Sequence, residues 1–118
     1  MKITIEKKEY QLKFGYKVYR KVCQHYGEKT VAGFEKLIKR FGLSNVKLKD
    51  PSFDSLTFIG NLVLFAIVLD ANEELTIDSD DVVNVLWKNA SLLEEVMGEF
   101  QQSLPTQNAA PIPKKKGK

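Results

Sequence analysis

Hydrophobic positions change their period along this chain, and each change predicts a new kind of element. Ile3 and Ile5 alternate with polar residues, as do Tyr10, Leu12 and Phe14, and the polar stretch Glu6-Lys7-Lys8-Glu9 lies between them. Period-two alternation on both sides of a short polar connection predicts a β-hairpin with one buried face. A lone hairpin is marginal in water, so helices must cover that face. Gly15 ends the alternation. Tyr16, Tyr19, Val22, Cys23 and Tyr26 then recur at three- and four-residue spacing up to Gly27, which predicts a short amphipathic helix with a glycine stop. Thr30 can cap a second helix whose inner face holds Val31, Phe34, Leu37, Ile38 and Phe41, with Gly42 at its end. Residues 43–51 read as loop, closed by Asp50-Pro51.

From Phe53 to Leu69 the chain is almost wholly apolar, including the run LTFIGNLVLFAIVL. A membrane span needs ~20 such residues. This run falls short of that and carries Gly60 and Asn61, so it predicts a helix at the buried centre of a helical domain, and no membrane is expected as a partner. Asp78 or Ser79 caps a fourth helix, with Asp80 and Asp81 near the positive end of its dipole. Val82, Val85 and Leu86 face inward there, with Trp87 beside them. Ser91-Leu92-Leu93-Glu94 fits a capping box and starts a last helix running to Leu104, where Pro105 stops it. The expected fold is α+β and predominantly helical: an N-terminal β-hairpin followed by about five helices and a disordered C-terminal tail. Residues 1–104 form a single globular domain in this scheme, and the Pro/Lys tail 105–118 has nothing to bury.

Composition sharpens this in two places. The 118 residues suit one domain, and no apolar signal core opens the chain, so it is expected to stay in the cytoplasm where it is made. The formal charge of +3 conceals a division. Residues 1–49 carry 13 Lys/Arg against 4 Asp/Glu, whereas residues 50–113 carry 1 against 11. The last five residues add four lysines. Two such halves either neutralise each other within one fold or pair with another copy.

Candidate chemistry is sparse. His25, the single histidine, has no Asp or Cys at triad or ligand spacing, and Cys23 falls on the apolar stripe, where a thiol behaves as a small hydrophobe. One cysteine excludes an internal disulfide and any multi-cysteine metal site. Asp78-Ser79-Asp80-Asp81 lacks the central glycine and distal glutamate of a calcium loop, and helix capping accounts for it. No glycine-rich phosphate loop is present. Neither a catalytic residue, a cofactor nor a metal is therefore expected. Lys13, Lys17, Arg20, Lys21, Lys36, Lys39 and Arg40 could neutralise phosphates, with tyrosines to stack on bases. However, those tyrosines are assigned to the core and the acidic half repels DNA, so nucleic acid is not the expected partner. A binding module remains. On the last helix Leu93, Met97, Phe100 and Leu104, with Val96, form a stripe that is a candidate partner-binding groove.

The opening stretch MKITIEKKEYQLKFGYKVYRKV resembles the start of tail assembly chaperones from long-tailed bacteriophages and prophages of Gram-positive hosts. The residues that carry the likeness are Tyr10, Leu12, Phe14, Gly15 and Tyr16: a short hairpin that leads into an aromatic and basic helix. The resemblance implies a non-enzymatic protein that coats the long helical tape measure protein, keeps it soluble and helps bring tail tube protein to polymerise around it. It also implies homo-oligomers, a place in the host cell cytoplasm, and absence from the mature virion. A programmed frameshift near the end of the gene, giving a longer minor product, belongs to the same family. The codons of Lys114, Lys115, Lys116, Gly117 and Lys118 permit a slippery heptamer such as GGGAAAA. A small nucleic-acid-binding regulator, using the basic N-terminal half and the lysine tail, is the alternative.

Overall fold

Strand β1 (Lys2–Ile5) pairs antiparallel with β2 (Lys8–Leu12) in a computed structural model that describes residues 1–44, 48 and 50–104. Ile3 faces Tyr10 and Ile5 faces Lys8 across the ladder, so Ile3, Ile5, Tyr10 and Leu12 all enter the core. The turn is Glu6-Lys7 alone, two residues shorter than the polar stretch, because the alternation of Leu12 and Tyr10 extends back to Lys8. Glu6 and Lys7 take φ of 51° and 70°. Two left-handed residues in a two-residue loop give the twist that continues a hairpin's own.

Five helices follow: α1 (Tyr16–His25), α2 (Val31–Arg40), α3 (Phe53–Ala66), α4 (Ser79–Trp87) and α5 (Ala90–Ser103). Their ends obey local chemistry. Thr30 Oγ1 accepts from Gly33 N at 3.0 Å, and Gly27 and Gly42 close α1 and α2 with φ of 80° and 70°. Asp78 and Asp81 cap α4 reciprocally, each side chain accepting from the other's backbone N–H at 3.0 and 2.9 Å. For α5 the cap is Asn89, which accepts from Leu92 N at 3.1 Å. The expected start at Ser91 is corrected by two residues, since the Asn89 amide side chain already supplies the cap there.

Helix α3 is the centre of the domain. Leu56, Phe58, Ile59, Leu62, Val63 and Ala66 are buried, with α1 and α4 packed against it. Asn61 is buried as well, and its Nδ2 donates to the Tyr26 hydroxyl at 3.1 Å, which is how an amide is tolerated inside this run. The apolar run does not stay helical to Leu69. It ends at Ala66, and Ile67–Val68 form a short third strand, β3, in the order β1-β2-β3. Leu12 pairs with Ile67 and Gln11 with Val68, while Lys13 N donates to Ala66 O at 2.9 Å. Two β-branched residues arriving beside the open edge of β2 satisfy their backbone there instead of continuing the helix.

Two aromatic clusters fasten the helices together. Tyr26, Phe41 and Phe58 meet at centroid distances of 4.7–5.7 Å and join the ends of α1 and α2 to α3. Tyr19 stacks on Phe34 at 4.8 Å, and Phe100 of α5 meets both rings and Phe14 edge-on. No helix among the described residues is long and apolar enough to cross a membrane. The segment 105–118 lies outside the described residues.

Candidate partner-binding surface

The stripe proposed on α5 is used internally. Met97 and Phe100 are fully buried, while Leu93 and Leu104 are half-buried against the core. The Phe100 ring lies 5.8 Å from Tyr19, 6.2 Å from Phe14 and 6.5 Å from Phe34. Beside it Ser103 Oγ donates to Phe100 O at 2.7 Å and meets the Tyr19 hydroxyl, and Gln101 Nε2 donates to Leu43 O. Burial holds the Tyr19 phenol above its ordinary pKa, against the opposing effect of the Ser103 contact. The expectation of a groove at Leu93, Met97, Phe100 and Leu104 is corrected accordingly. A helix with this stripe must bury it, and the hairpin exit, α1 and α2 supply the surface.

Apolar side chains left in water lie elsewhere. Tyr16 is 76 % exposed, Val31 68 %, Phe53 79 % and Trp87 58 %. The first three are the opening residues of α1, α2 and α3, and Trp87 ends α4. Periodicity places Tyr16 and Val31 on inner faces and Trp87 beside one, and all three stand in water instead. Helix α1 instead buries Val18, Tyr19, Val22 and Cys23, a stripe at 1-4-5 spacing that is as regular as the one through Tyr16. The apolar Val18 was the available signal. In α2, Phe34 and Leu37 complete the buried face without Val31.

The charged halves are not consumed by each other. Lys13, Lys17, Arg20, Lys21, Lys36, Lys39 and Arg40 are all exposed. Arg20 lies over the exposed Tyr16 ring at 5.6 Å and Arg40 over Phe41 at 5.2 Å. Among the described residues two ion pairs form, Lys2–Glu9 at 3.7 Å and Lys8–Glu73. Only the second joins the basic half to the acidic half. Their mutual hydrogen bond raises the Lys8 ammonium pKa and lowers that of the Glu73 carboxyl. Glu73 Oε1 also accepts from Asp70 N at 3.0 Å, so this pair fastens the loop after β3 to the hairpin.

His25 is exposed, packed edge-on near Tyr26 and Phe65 at 5.0 and 6.0 Å. Cys23 is buried, which pushes its thiol pKa up and away from the reactive thiolate. Among the described residues no three His, Cys, Asp or Glu side chains come together as a metal-binding group. A shallow polar depression of about 280 Å³ lies by the sheet, between Lys2, Gln11, Val68 and Glu73, with the Lys2–Glu9 ion pair on its wall.

No family model, curated protein or solved structure matches the chain. The surface carries exposed apolar residues at helix ends, basic residues on α1 and α2, and acidic residues on α4 and α5. Lys114, Lys115, Lys116, Gly117 and Lys118, which bear on the frameshift, lie outside the described residues.

Proposed function

We propose that this chain is a non-enzymatic tail assembly chaperone that binds the tape measure protein, keeps it soluble and helps recruit tail tube protein in the host cytoplasm. The observation that carries the reading is the stretch Met1–Val22. Its Tyr10, Leu12, Phe14, Gly15 and Tyr16 resemble the opening of that family, and they form a hairpin that passes through Gly15 into an aromatic, basic helix. A long helical rod exposes apolar stripes that aggregate unless covered. Many copies, each bound weakly, cover such a rod by avidity.

With the α5 stripe inside the core, the partner's apolar face is assigned to the exposed Tyr16, Val31, Phe53 and Trp87. Trp87 is the single tryptophan, so its emission reports the contact. Titrating the chain with helical segments of a phage tape measure protein is expected to shift that emission to the blue. The Trp87→Ala and Phe53→Ser variants weaken binding about tenfold or less each, as expected for one of several exposed anchors. Segments that leave the emission unchanged and fail to comigrate with the chain count against the proposal. Codons 114–118 add an independent check, since a slippery heptamer followed by an overlapping frame is expected there.

One observation favours the alternative of a nucleic-acid-binding regulator: Tyr16 stands exposed beside Arg20 on a basic helix, a stacking platform among cations. That reading requires affinity for DNA or RNA that falls steeply with salt.

A further inference from the structure

Helix α1 is divided lengthwise by burial. Val18, Tyr19, Val22 and Cys23 are buried, and the remaining residues, Tyr16, Lys17, Arg20, Lys21, Gln24 and His25, are exposed. At about 100° of rotation per residue, the exposed set falls within one half of the helix circumference and forms a single face. That face carries three cations and no acid. None of those cations forms an ion pair among the described residues.

Two features distinguish it from an ordinary solvated face. The Arg20 guanidinium lies over the exposed Tyr16 ring at 5.6 Å. A guanidinium stacked in this way is held by its flat side, and the N–H donors along its edge stay available to take a carboxylate bidentately. Lys17 and Lys21 stand at i and i+4, where like charges repel. Lys17 also lies in the first turn, where no acid offsets the positive end of the helix and Gly15 gives no side-chain cap. Negative charge is thus missing at three neighbouring points, and an apolar ring stands beside them.

We infer that this face of α1 docks an acidic amphipathic helix of a partner protein, its carboxylates on Lys17, Arg20 and Lys21 and an apolar side chain on Tyr16. The spacing selects a helix. Carboxylates at i, i+3 and i+4 of a helix stand about 5–6 Å apart, which repeats the spacing of Lys17, Arg20 and Lys21. A nucleic acid duplex carries one charge per ~1.7 Å along its whole length, and three cations on a ten-residue helix match little of that. The chain's own α5 does not qualify, because its apolar stripe, Val96, Met97 and Phe100, is already buried in its own core. The inference rests on the reading of Tyr16 as a contact for a helical partner, and it adds the chemistry of that partner.

The test is the fluorescence anisotropy of a labelled, alanine-based helical peptide with Glu at i, i+3 and i+4 beside a leucine. A second peptide has Gln in place of each Glu. At about 50 mM NaCl the acidic peptide is expected to bind the full chain about tenfold more tightly than the Gln peptide, and the difference shrinks by about 500 mM. Arg20→Gln and Tyr16→Ala each weaken the acidic peptide roughly threefold to tenfold, with helical content checked by circular dichroism. Lys36→Gln, which removes the same unit of charge from α2, leaves binding within about twofold. Equal binding of the two peptides overturns the inference, as does a loss in Lys36→Gln as large as that in Arg20→Gln. A single-stranded oligonucleotide that binds more tightly than the acidic peptide and is released by Arg20→Gln assigns the face to nucleic acid and overturns it too. Coexpression with a tape measure protein separates this inference from the reading beneath it. If the natural chain and Arg20→Gln keep that protein soluble equally well, the chaperone reading stands and the acidic-helix inference falls. If the acidic peptide binds through Arg20 while the tape measure protein pellets regardless, the reverse holds.

Discussion

Replacing Gly60 by alanine puts a methyl group where α3 packs against the first turn of α4. A Cβ at this position would meet Val83 Cγ2 at 2.7 Å and the Ser79 carbonyl oxygen at 2.8 Å, with Ser79 Cβ at 3.4 Å. The valine methyl can turn aside. The carbonyl cannot, because Ser79 is the first residue of α4 and the reciprocal Asp78–Asp81 cap holds that turn. The start of α4 must therefore move outward by about half an ångström, opening space around the buried Val82 and Leu86. Overpacking of this kind costs ~1–3 kcal/mol, and a rigid wall places it in the upper half of that range. Against this, alanine is the better helix former by ~1 kcal/mol. The net expectation is destabilisation by about 1–2 kcal/mol. Urea unfolding followed by Trp87 emission reads this as a midpoint lowered by roughly 0.5–1 M, given the usual denaturant slopes. Gly98→Ala is the matched control. It lies inside α5 with nothing within 4 Å of the added Cβ, so only the propensity gain remains and stability rises by up to ~1 kcal/mol. A Gly60→Ala protein as stable as the natural one, with Gly98→Ala behaving as stated, would falsify the close packing of α3 on α4.

Three further outcomes follow from the same geometry. Phe100→Ala removes the ring that joins α5 to Tyr19, Phe34 and Phe14 and is expected to cost ~3–5 kcal/mol by thermal or urea unfolding; a loss below ~1 kcal/mol contradicts its core position. Substituting Asn-Gly for Glu6-Lys7 supplies residues that accept positive φ and should raise stability by about 1 kcal/mol, whereas a lowered urea midpoint rules out the observed turn. In alkali, Tyr19 is held above its ordinary pKa by burial, so its contribution is complete below the unfolded phenol pKa and is lost as pH rises through the folded one. Tyr19→Phe should accordingly flatten the fall in stability above about pH 10, and an unchanged alkaline limb sets the idea aside.

Much of this fold is legible in the chain because local signals and burial agree. Ile3, Ile5, Tyr10 and Leu12 alternate and are buried, Thr30 and Asp78 cap the helices they precede, and Gly27 and Gly42 close the two before them. What escapes is decided by tertiary neighbours. Ile67 and Val68 end an apolar run whose periodicity suits helix or strand, and only the open edge of β2 selects strand. Tyr16 and Val18 both extend a regular stripe on α1, and the choice between them depends on where Phe34 and Phe100 arrive. The candidate site suffered most. An apolar stripe on a terminal helix has the same pattern whether it faces the chain's own core or a partner, and here Phe14, Tyr19 and Phe34 occupy that side of Phe100. The segregation of charge, by contrast, was visible from counts along the chain, since exposed charges need no tertiary contact to be recognised.

The most direct test of the chaperone proposal is the solubility of the partner. The chain is coexpressed with a long, helical phage tape measure protein, and that protein is quantified in soluble and pelleted fractions with and without the chain. The proposal predicts that the long protein pellets alone and becomes soluble with the chain, copurifying with many copies of it. A long protein that pellets equally in both cases, or that is soluble by itself and does not retain the chain, contradicts it.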